Sequence, residues 1–330
     1  MNRGESPRAS GEKTWIGVDI GGTKTAVVLC AQPPKILARI EFPTLPEQGP
    51  ERALELIKKT IQELIRDHRR GIGKLEAIGV SCGGPLDRVA GIIQAPPNLS
   101  TWVDVPICSI LRHEFGLECR LENDANAGAI AEHRFGAGRG TQHMVFLTMG
   151  TGLGAGIIAD GRLYHGASDL AGEIGHVRLT RSGPTGHGKV GSVEGWASGG
   201  GIAETAQRKV AAATGKGIST SLAPVAANGT LTAKDVAEAA RGGDKLAKEI
   251  IRKTGARLGE ALAILVDVLN PEVIVIGGLA MRMGESLLAP AKRVLEREAL
   301  AISARACRIV PAELGEQIGD IAAICVAMGF

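Results

Sequence analysis

Aromatic residues are scarce in this 330-residue sequence: they make up 3% of it, whereas glycine occurs 46 times. A chain rich in glycine and poor in aromatics is typical of a fold with many tight turns, where backbone approaches backbone or a ligand. A strong charge of one sign is also lacking, because the formal net charge is only +3. That small excess gives no indication of a surface for nucleic acid or another polyanion. We therefore expect no nucleic-acid partner.

Long hydrophobic runs are missing as well. The longest uncharged apolar segment, 144–159, is interrupted by glycines and is shorter than the ~20 apolar residues of a membrane-spanning helix. Residues 1–14 contain no apolar stretch of the kind that a signal peptide has, and we interpret them as a disordered leader. None of the six cysteines belongs to a Cys-x-x-Cys pair, so we expect reduced, structural thiols. These absences predict a cytoplasmic protein without a membrane segment.

The order of apolar segments predicts an α/β protein with two domains. The length suits about two domains, and apolar runs that end in glycine turns alternate with segments of helical periodicity, such as 51–68. An apolar strand, a Gly/Thr turn and a returning apolar strand occur at 15–30 and again at 143–163. We interpret this weak internal repeat as the openings of two lobes, 15–124 and 125–318, with a ligand-binding cleft between them.

Two glycine-rich turns are candidate phosphate-binding elements. In D-I-G-G-T-K-T, at 19–25, the glycines let backbone N–H groups approach an anion, Thr and Lys add donors, and the leading Asp suits water-mediated Mg²⁺ binding. The second turn, G-T-G-L-G-A-G at 150–156, fits neither the dinucleotide nor the P-loop pattern, and its alternating glycines indicate close backbone approach. The candidate residues are Asp19, Gly21, Gly22, Thr23, Lys24, Gly150, Thr151, Gly152 and Gly154.

The sequence E-N-D-A-N-A-G carries the candidate chemistry. Asp124 lies where a strand is predicted to end and a helix to begin, so the helix N-terminus favours its ionised form. A carboxylate there can accept a hydroxyl proton, although an ordinary helix-capping aspartate fits the local sequence too. Asn123 beside it suits a sugar hydroxyl. Glu173, His176 and Glu194 together suit a polyol ligand, although each alone resembles a surface residue.

Two further motifs say less about function. G-V-S-C-G, at 79–83, has the letters of the hydrolase nucleophile elbow, but that motif needs a helix directly after the serine, and Gly-Gly-Pro follows instead. No histidine follows His187, where that fold keeps its catalytic base, so we exclude a hydrolase. Gly277 and Gly278 end a predicted buried strand and, taken alone, form a plain strand–helix turn.

Taken in order, these segments resemble the ROK family of sugar kinases and repressors. The resemblance rests on D-I-G-G-T-K-T-A-V-V, E-N-D-A-N-A-G, T-M-G-T-G-L-G-A-G, G-E-I-G-H and V-I-V-I-G-G, and it runs from Trp15 to the C-terminus. It implies the two-lobed actin/hexokinase-type (ribonuclease H-like) α/β fold with a central cleft, a C-terminal helix at 319–330 packed back on the first lobe, and a homodimer. The implied reaction is ATP- and Mg²⁺-dependent phosphorylation of a hexose or N-acetylhexosamine, usually at the 6-hydroxyl.

The resemblance also assigns roles to single residues. It makes Asp124 the general base, the two glycine turns the phosphate sites and Gly277-Gly278 the turn on the adenosine side. Glucose is the favoured substrate, with N-acetylglucosamine, N-acetylmannosamine or fructose as alternatives, and a catalytically silent sugar-binding regulator is the alternative from another class. The implied sugar contacts are Gly84, Asn98, Asn123, Glu173, His176 and Glu194.

The sequence departs from the family pattern at one site. Many members carry three cysteines that join the histidine of the G-x-G-H motif on a structural zinc, whereas Thr185, His187 and Ser192 stand at those positions here. His176 and His187 would be the only good ligands, and a structural zinc needs four. We therefore predict that no zinc is bound.

Overall fold

The computed structural model describes residues 13–330, which form two compact units. The first unit comprises the described residues up to Phe135 together with Glu316–Phe330, and the second comprises Gly136–Gly315. The predicted boundaries, after 124 and after 318, differ from this division. The helix that begins at Asp124 stays in the first unit because it packs against the C-terminal helix, which belongs to the same unit.

The predicted leader falls largely outside the described part of the chain. Residues 1–12 are not described, whereas Lys13 and Thr14 belong to the first strand, so the prediction is wrong for these two residues. From residue 13 onward, no helix has both the length and the apolar character that a membrane crossing requires.

A mixed β-sheet forms the centre of the first unit. Its strands and a short hairpin beside them are β1 (Lys13–Ile20), β2 (Lys24–Gln32), β3 (Lys35–Pro43), β4 (Lys74–Cys82), β5 (Leu86–Asp87), β6 (Ile92–Ile93) and β7 (Glu118–Asn123). The sheet order is β3-β2-β1-β4-β7. Strand β1 is antiparallel to β2 and parallel to β4, and β4 is parallel to β7. The carboxyl ends of β1, β4 and β7 therefore lie along one edge of the sheet.

Helices cover this sheet, namely α1 (Pro50–Asp67), α2 (Ile107–Phe115) and α3 (Asp124–Phe135). The helix predicted over 51–68 corresponds to α1, whose buried residues recur every three or four positions, as an amphipathic helix requires. Its Ile57 and Ile61 share a core with Ile16 and Val18 of β1, and all four side chains are fully buried. This core holds β1, and with it the turn that follows β1, in place.

The second unit repeats the strand arrangement of the first. Its strands are β8 (Met144–Met149), β9 (Leu153–Ala159), β10 (Arg162–Leu163), β11 (Thr185–Gly186), β12 (Lys189–Val190), β13 (Val273–Ile276) and β14 (Arg308–Pro311). The order of its larger sheet is β10-β9-β8-β13-β14, and β8 is antiparallel to β9 and parallel to β13. The predicted internal repeat is thus confirmed in the strand topology.

The helices of the second unit are α4 (Val193–Ala197), α5 (Gly199–Thr214), α6 (Ala223–Ala227), α7 (Ala233–Arg241), α8 (Lys245–Leu269), α9 (Leu279–Met283), α10 (Glu285–Glu298) and α11 (Ala301–Ala306). Helix α7 begins with a reciprocal capping box that Thr232 and Asp235 form. Helix α4 and helix α5 are each capped by a serine side chain.

The last helix, α12 (Ile318–Met328), belongs to the first unit and packs against β1, β4 and α3. Its contact with the sheet is very close: a Cβ atom at Gly79 of β4 would lie 2.2 Å from the carbonyl oxygen of Ala323. Small residues, including Ala322, Ala323 and Ala327, therefore form the buried side of α12. The helix was predicted at 319–330, close to its observed bounds.

Candidate active site

Three aspartates lie together in the first unit, and we call Asp19, Asp124 and Asp320 the acidic edge. Asp19 is near the end of β1, where it is paired in register with Ser81 of β4, and Asp124 directly follows β7. Asp320 lies in the first turn of α12. Parallel strand ends thus bring together residues that are far apart in the sequence.

Burial, and then repulsion from Asp124 and Asp320, raises the pKa of Asp19 to about 7, although its hydrogen bond with Ser81 opposes this change. The acidic edge therefore has an excess of negative charge that a nearby cation would relieve, although its three carboxylates do not together form a metal-ion site. Its donors are carboxylate oxygens, which are the ligands that Mg²⁺ prefers. Ser81 is buried within β4 and is followed by β5 rather than by a helix, in agreement with the exclusion of a nucleophile elbow.

Asp124 is the first residue of α3 and is open to solvent, although the protein closely surrounds its carboxylate. The resulting loss of hydration raises the pKa of Asp124 above its ordinary value. Backbone N–H groups, including that of Ala125 at 2.8 Å from Oδ1, lower the pKa but do not outweigh the desolvation. The helix N-terminus thus favours the ionised form of Asp124, as expected, but desolvation outweighs this contribution and leaves the pKa raised.

The cap of α3 comes from Asn123 rather than from Asp124. The Asn123 Oδ1 atom accepts the N–H groups of Ala125 at 3.0 Å and Asn126 at 3.3 Å. Glu122 Oε1 in turn accepts the side-chain amide of Asn126 at 3.0 Å and the backbone N–H of Asn123 at 2.9 Å. This network fixes the start of α3 and relieves Asp124 of the capping role that the sequence left open.

Sequence reasoning missed the buried pair Glu122 and Asn126. Their spacing of four residues is the signal that could have revealed a side-chain pair across a helix start.

Asn98 and the turn between β1 and β2 lie in contact within the first unit. A Cβ atom at Gly22 would lie 2.8 Å from the Asn98 Cβ atom, so residue 22 has room only for glycine. A Cβ atom at Gly83 would lie 3.6 Å from Asn98 Oδ1, and one at Gly84 would lie 3.4 Å from Asn123 Nδ2. The structure therefore places three predicted sugar contacts, Gly84, Asn98 and Asn123, beside the first phosphate-type turn.

The turn itself is short and is closed by its own backbone. Gly21 donates its N–H to the carbonyl of Lys24 at 3.0 Å, and the Thr44 hydroxyl donates to the Gly21 carbonyl at 2.7 Å. Thr23 is exposed at the tip, whereas the ammonium of Lys24 is paired with Glu41 at 2.8 Å. The predicted role of Lys24 as an anion donor thus competes with a carboxylate already beside it.

The corresponding turn of the second unit joins β8 to β9. Gly150 donates to the Gly152 carbonyl at 3.0 Å, and the N–H of Gly199, at the start of α5, donates to the Gly150 carbonyl at 2.8 Å. Glu194 Oε2 accepts the N–H of Leu153 at 3.0 Å, and a Cβ atom at Gly152 would lie 2.8 Å from the same oxygen. Gly150, Thr151 and Gly152 are exposed, whereas Gly154 lies within β9. Glu194, predicted only as a sugar contact, thus also braces this turn.

Glu173 and His176 flank a single turn of 3-10 helix, Ile174–His176, and both are exposed. This turn packs against the start of β9: a Cβ atom at Gly175 would lie 2.1 Å from the Leu153 carbonyl oxygen and 3.5 Å from the Glu194 Cβ atom. The loop predicted around these residues therefore lies beside Glu194, and the second unit brings its three predicted sugar contacts into one region.

Gly277 and Gly278 follow β13 and lie at the end of β8. Gly278 has a φ of +67°, and a Cβ atom there would lie 2.2 Å from the Met149 carbonyl oxygen. Gly277 donates its N–H to the Leu147 carbonyl at 2.8 Å. This turn is therefore more than a plain strand–helix connection, because it abuts the strand that leads into the glycine turn at 150.

The profile of the ROK family matches residues 15–329. The chain belongs to the ROK family. It is 35% identical to a glucokinase of Halalkalibacterium halodurans over 312 residues, which is 94% of this chain and 93% of that protein. It is 30% identical to the DNA-binding transcriptional dual regulator NagC of Escherichia coli over 318 residues, which is 95% of this chain and 75% of that protein.

Among solved structures, the chain is similar to a ROK glucokinase from Streptomyces griseus in complex with glucose and AMPPNP, with 31% identity and a TM-score of 0.78. That similarity covers 96% of this chain and 100% of the other. The predicted family and the actin/hexokinase-type α/β fold are both confirmed.

The segment in which many ROK proteins bind zinc is held here by hydrogen bonds. The buried Ser192 hydroxyl accepts the N–H of Gly195 at 3.1 Å and caps α4, and the Lys189 ammonium donates to the His176 carbonyl at 2.8 Å. The N–H of Thr185 donates to Glu204 at 3.0 Å. Thr185 and Ser192 are poor zinc ligands, and within 13–330 no group of three His, Cys, Asp or Glu residues could hold a metal ion. These residues do not fit the family's zinc.

Proposed function

We propose that this ROK protein is an ATP-dependent sugar kinase that transfers the γ-phosphoryl group to a hexose hydroxyl, with the 6-hydroxyl of glucose as the favoured acceptor. The observation that carries the proposal is the Asp124 carboxylate at the exposed start of α3, where Asn123 supplies the helix cap and where Asp124 is close enough to Asp19 to raise the pKa of Asp19. The glucokinase from H. halodurans and the glucose- and AMPPNP-bound structure from S. griseus support the reaction class and the use of ATP.

In this mechanism Asp124 is the general base. The sugar hydroxyl oxygen forms a bond to the γ-phosphorus, the bond from that phosphorus to the β,γ-bridging oxygen breaks, and ADP leaves. The hydroxyl proton moves to an Asp124 carboxylate oxygen. A pKa raised above the ordinary value suits this role, because a general base works best when its pKa lies near the working pH.

The remaining catalysis comes from positioning and charge neutralisation, as in other phosphoryl transfers. The turn at 21–24 and the turn at 150–152 present backbone N–H groups for phosphates, and Gly277-Gly278 serves the adenosine side. Asp19 would hold Mg²⁺, in keeping with its oxygen donors and the negative charge of the acidic edge. Bound Mg²⁺ would neutralise charge on the transferred phosphates.

The sugar contacts are also part of the proposal. In the first unit, Gly84, Asn98 and Asn123 lie beside the 21–24 turn. In the second unit, Glu173, His176 and Glu194 form the other set, and the tie between Glu194 and Leu153 couples sugar binding to the phosphate turn of that unit. Carboxylate, imidazole and amide groups suit the hydroxyls of a hexose.

A panel of hexoses tests the proposal. Purified protein is incubated with Mg²⁺, ATP and glucose, N-acetylglucosamine, N-acetylmannosamine or fructose, and ADP release is followed by a coupled assay. We expect the highest kcat/KM with glucose. A different preferred sugar would replace glucose within the kinase proposal.

The NagC similarity favours one second candidate, a sugar-binding regulator without catalysis. Sugar binding by calorimetry without ADP release on every hexose would support that regulator and contradict the kinase. The predicted homodimer, cytoplasmic location and lack of a nucleic-acid partner belong to the same proposal. Light scattering for the mass in solution and a DNA-binding assay would test the first and the last.

A further inference from the structure

An ion pair joins the edge strand β3 to the last helix of the first unit. The Arg39 Nε atom donates to Asp320 Oδ2 at 2.8 Å, across 281 positions of sequence. The Asp320 side chain is only 7% exposed, so its charge depends on this partner. Arg39 also pairs with Glu41 at 2.5 Å, which helps to orient the guanidinium. The sheet therefore holds the first turn of α12 at a defined position.

That first turn lies against the Asp19 carboxylate. A Cβ atom at Gly319 would lie 2.2 Å from Asp19 Oδ2 and 2.9 Å from its Cγ atom, so the backbone of residue 319 forms one wall of the aspartate's environment. Asp320, the next residue, also acts on the charge of Asp19. A shift of α12 by a fraction of an ångström would therefore reach Asp19 directly.

The far end of α12 has a separate anchor. Arg120 of β7 donates from Nη1 to the Ala327 carbonyl and from Nη2 to Glu118 at 2.6 Å. Arg134 lies over the ring of Phe330, with 4.4 Å between its Cζ atom and the ring centroid. Within α12 itself, Arg39 thus anchors the first turn and Arg120 the last, and the Arg39 anchor adjoins the acidic edge.

We infer that Arg39 and Asp320 are positioning residues for phosphoryl transfer: their ion pair seats the first turn of α12 against Asp19 and so fixes the direction of the Asp19 carboxylate. This inference rests on the proposed function and extends it to two residues that touch neither sugar nor nucleotide. Misplacement of a reacting or charge-bearing group by about 1 Å costs on the order of 100-fold in rate. The pair would therefore influence kcat far more than sugar binding.

Two neutral variants, Arg39→Gln and Asp320→Asn, test this inference because they change charge in opposite senses. Both break the pair, and we expect both to lower kcat roughly 10–100-fold while KM for glucose changes less than about twofold. If the pair acted only through its charge, the two variants would move the apparent Mg²⁺ affinity in opposite directions. That opposite movement, or an unchanged kcat in both, would overturn the inference.

Arg120→Ala is the matched control at the other end of α12. It also removes an arginine anchor of the same helix, so we expect a similar loss of thermal stability but a kcat within about twofold of wild type. Arg39→Lys keeps the charge and one donor, and we expect it to restore most of the lost kcat. If Arg120→Ala lost as much kcat as Arg39→Gln, a general loss of helix stability would explain both losses. That result would contradict the inference.

A second measurement separates this inference from the proposed function. The rise in Tm caused by Mg²⁺ and ADP reports binding at the acidic edge without any sugar turnover. We expect that rise to fall in Arg39→Gln and Asp320→Asn and to persist in Arg120→Ala. A wild-type protein that phosphorylates no hexose refutes the kinase proposal, whereas an equal Mg²⁺–ADP response in all four proteins refutes the positioning role.

Discussion

The two units share one strand topology and a glycine turn after the first strand, but the charged side chains around that turn differ. In each, a first strand pairs antiparallel with its successor and parallel with a later strand. In the first unit, the carboxylates of Asp19 and Asp124 lie at the ends of β1 and β7, and desolvation is the main cause that raises the pKa of both. The second places a glycine turn at 150–152, braced by Glu194. The comparison teaches that the side chains at the strand ends, rather than the shared topology, distinguish the two units.

The largest expected effect comes from Asp124→Asn, which removes one of the carboxylates of the first unit. The amide keeps the shape of the side chain but cannot accept the hydroxyl proton, so we expect kcat to fall at least ~100-fold. Steady-state kinetics and circular dichroism give the rate and the integrity of the fold. Asp160→Asn, at a side chain that is 92% exposed in another turn, is the control. Near-normal turnover of Asp124→Asn would contradict its role as the base.

A matched pair of glycine variants compares the two turns directly. In Gly22→Ala the new methyl would press on Asn98, and in Gly152→Ala it would press on the Glu194 carboxylate. Because each neighbour is a proposed sugar contact, we expect KM for sugar as well as for ATP to rise about 10-fold in both variants. Isothermal titration with each ligand separates the two affinities. If only the KM for ATP rose, Asn98 and Glu194 would have moved aside without loss of sugar binding, contrary to this expectation.

Asp19→Asn should raise the free energy of unfolding at high pH, because it removes a negative charge that destabilises the acidic edge. The ordinary pKa is 3.8, whereas the folded value is about 7, so the folded state keeps its proton where the unfolded state has lost it. Stability therefore falls as pH rises from about 4 to 7 and stays low above that range. Without Mg²⁺, we expect Asp19→Asn to be more stable than wild type at pH 8 by on the order of 2–4 kcal/mol, with little difference at pH 4.

Urea denaturation in EDTA at both pH values measures this difference. The same gain at pH 4 and pH 8 would assign the effect to packing instead of charge.

The smallest expected effect concerns the second unit, where hydrogen bonds hold the segment 185–192. Ser192→Ala removes the cap of α4, and we expect a loss of about 1 kcal/mol in the free energy of unfolding. Treatment with EDTA should leave the Tm unchanged, and the activity should be unchanged once Mg²⁺ is added back. Elemental analysis should find no stoichiometric zinc. One zinc per chain, or a Tm that EDTA lowers, would contradict this prediction.

Much of the fold followed from local pattern. The hairpins β1–β2 and β8–β9 and the helix α1 were predictable because apolar periodicity and glycine turns are local signals. Strand β3 and helix α2 were not predicted. The former alternates exposed and half-buried residues at a sheet edge, and the latter has only nine residues.

The sequence predicted which residues belong to the site better than it predicted the contacts between them. Family resemblance supplied Asn98 and Glu194, yet their packing against Gly22 and Gly152 depends on chain segments distant in sequence. The Arg39–Asp320 pair has no sequence signal, because an arginine in one strand and an aspartate 281 positions later are paired only by the folded backbone. The division of the chain at 135 was equally hidden, since it depends on α3 packing with α12.

Because α12 is translated last but packs on the first unit, the first unit is completed only at the end of synthesis. A ribosome completes the strands β1, β4 and β7 early, but it must translate the whole of Gly136–Gly315 before Gly319 and Asp320 emerge. Until then the sheet lacks the helix that covers Gly79 and borders Asp19. A nascent chain stalled before residue 318 therefore lacks the backbone of Gly319 that borders the Asp19 carboxylate, and its sheet is left uncovered at Gly79.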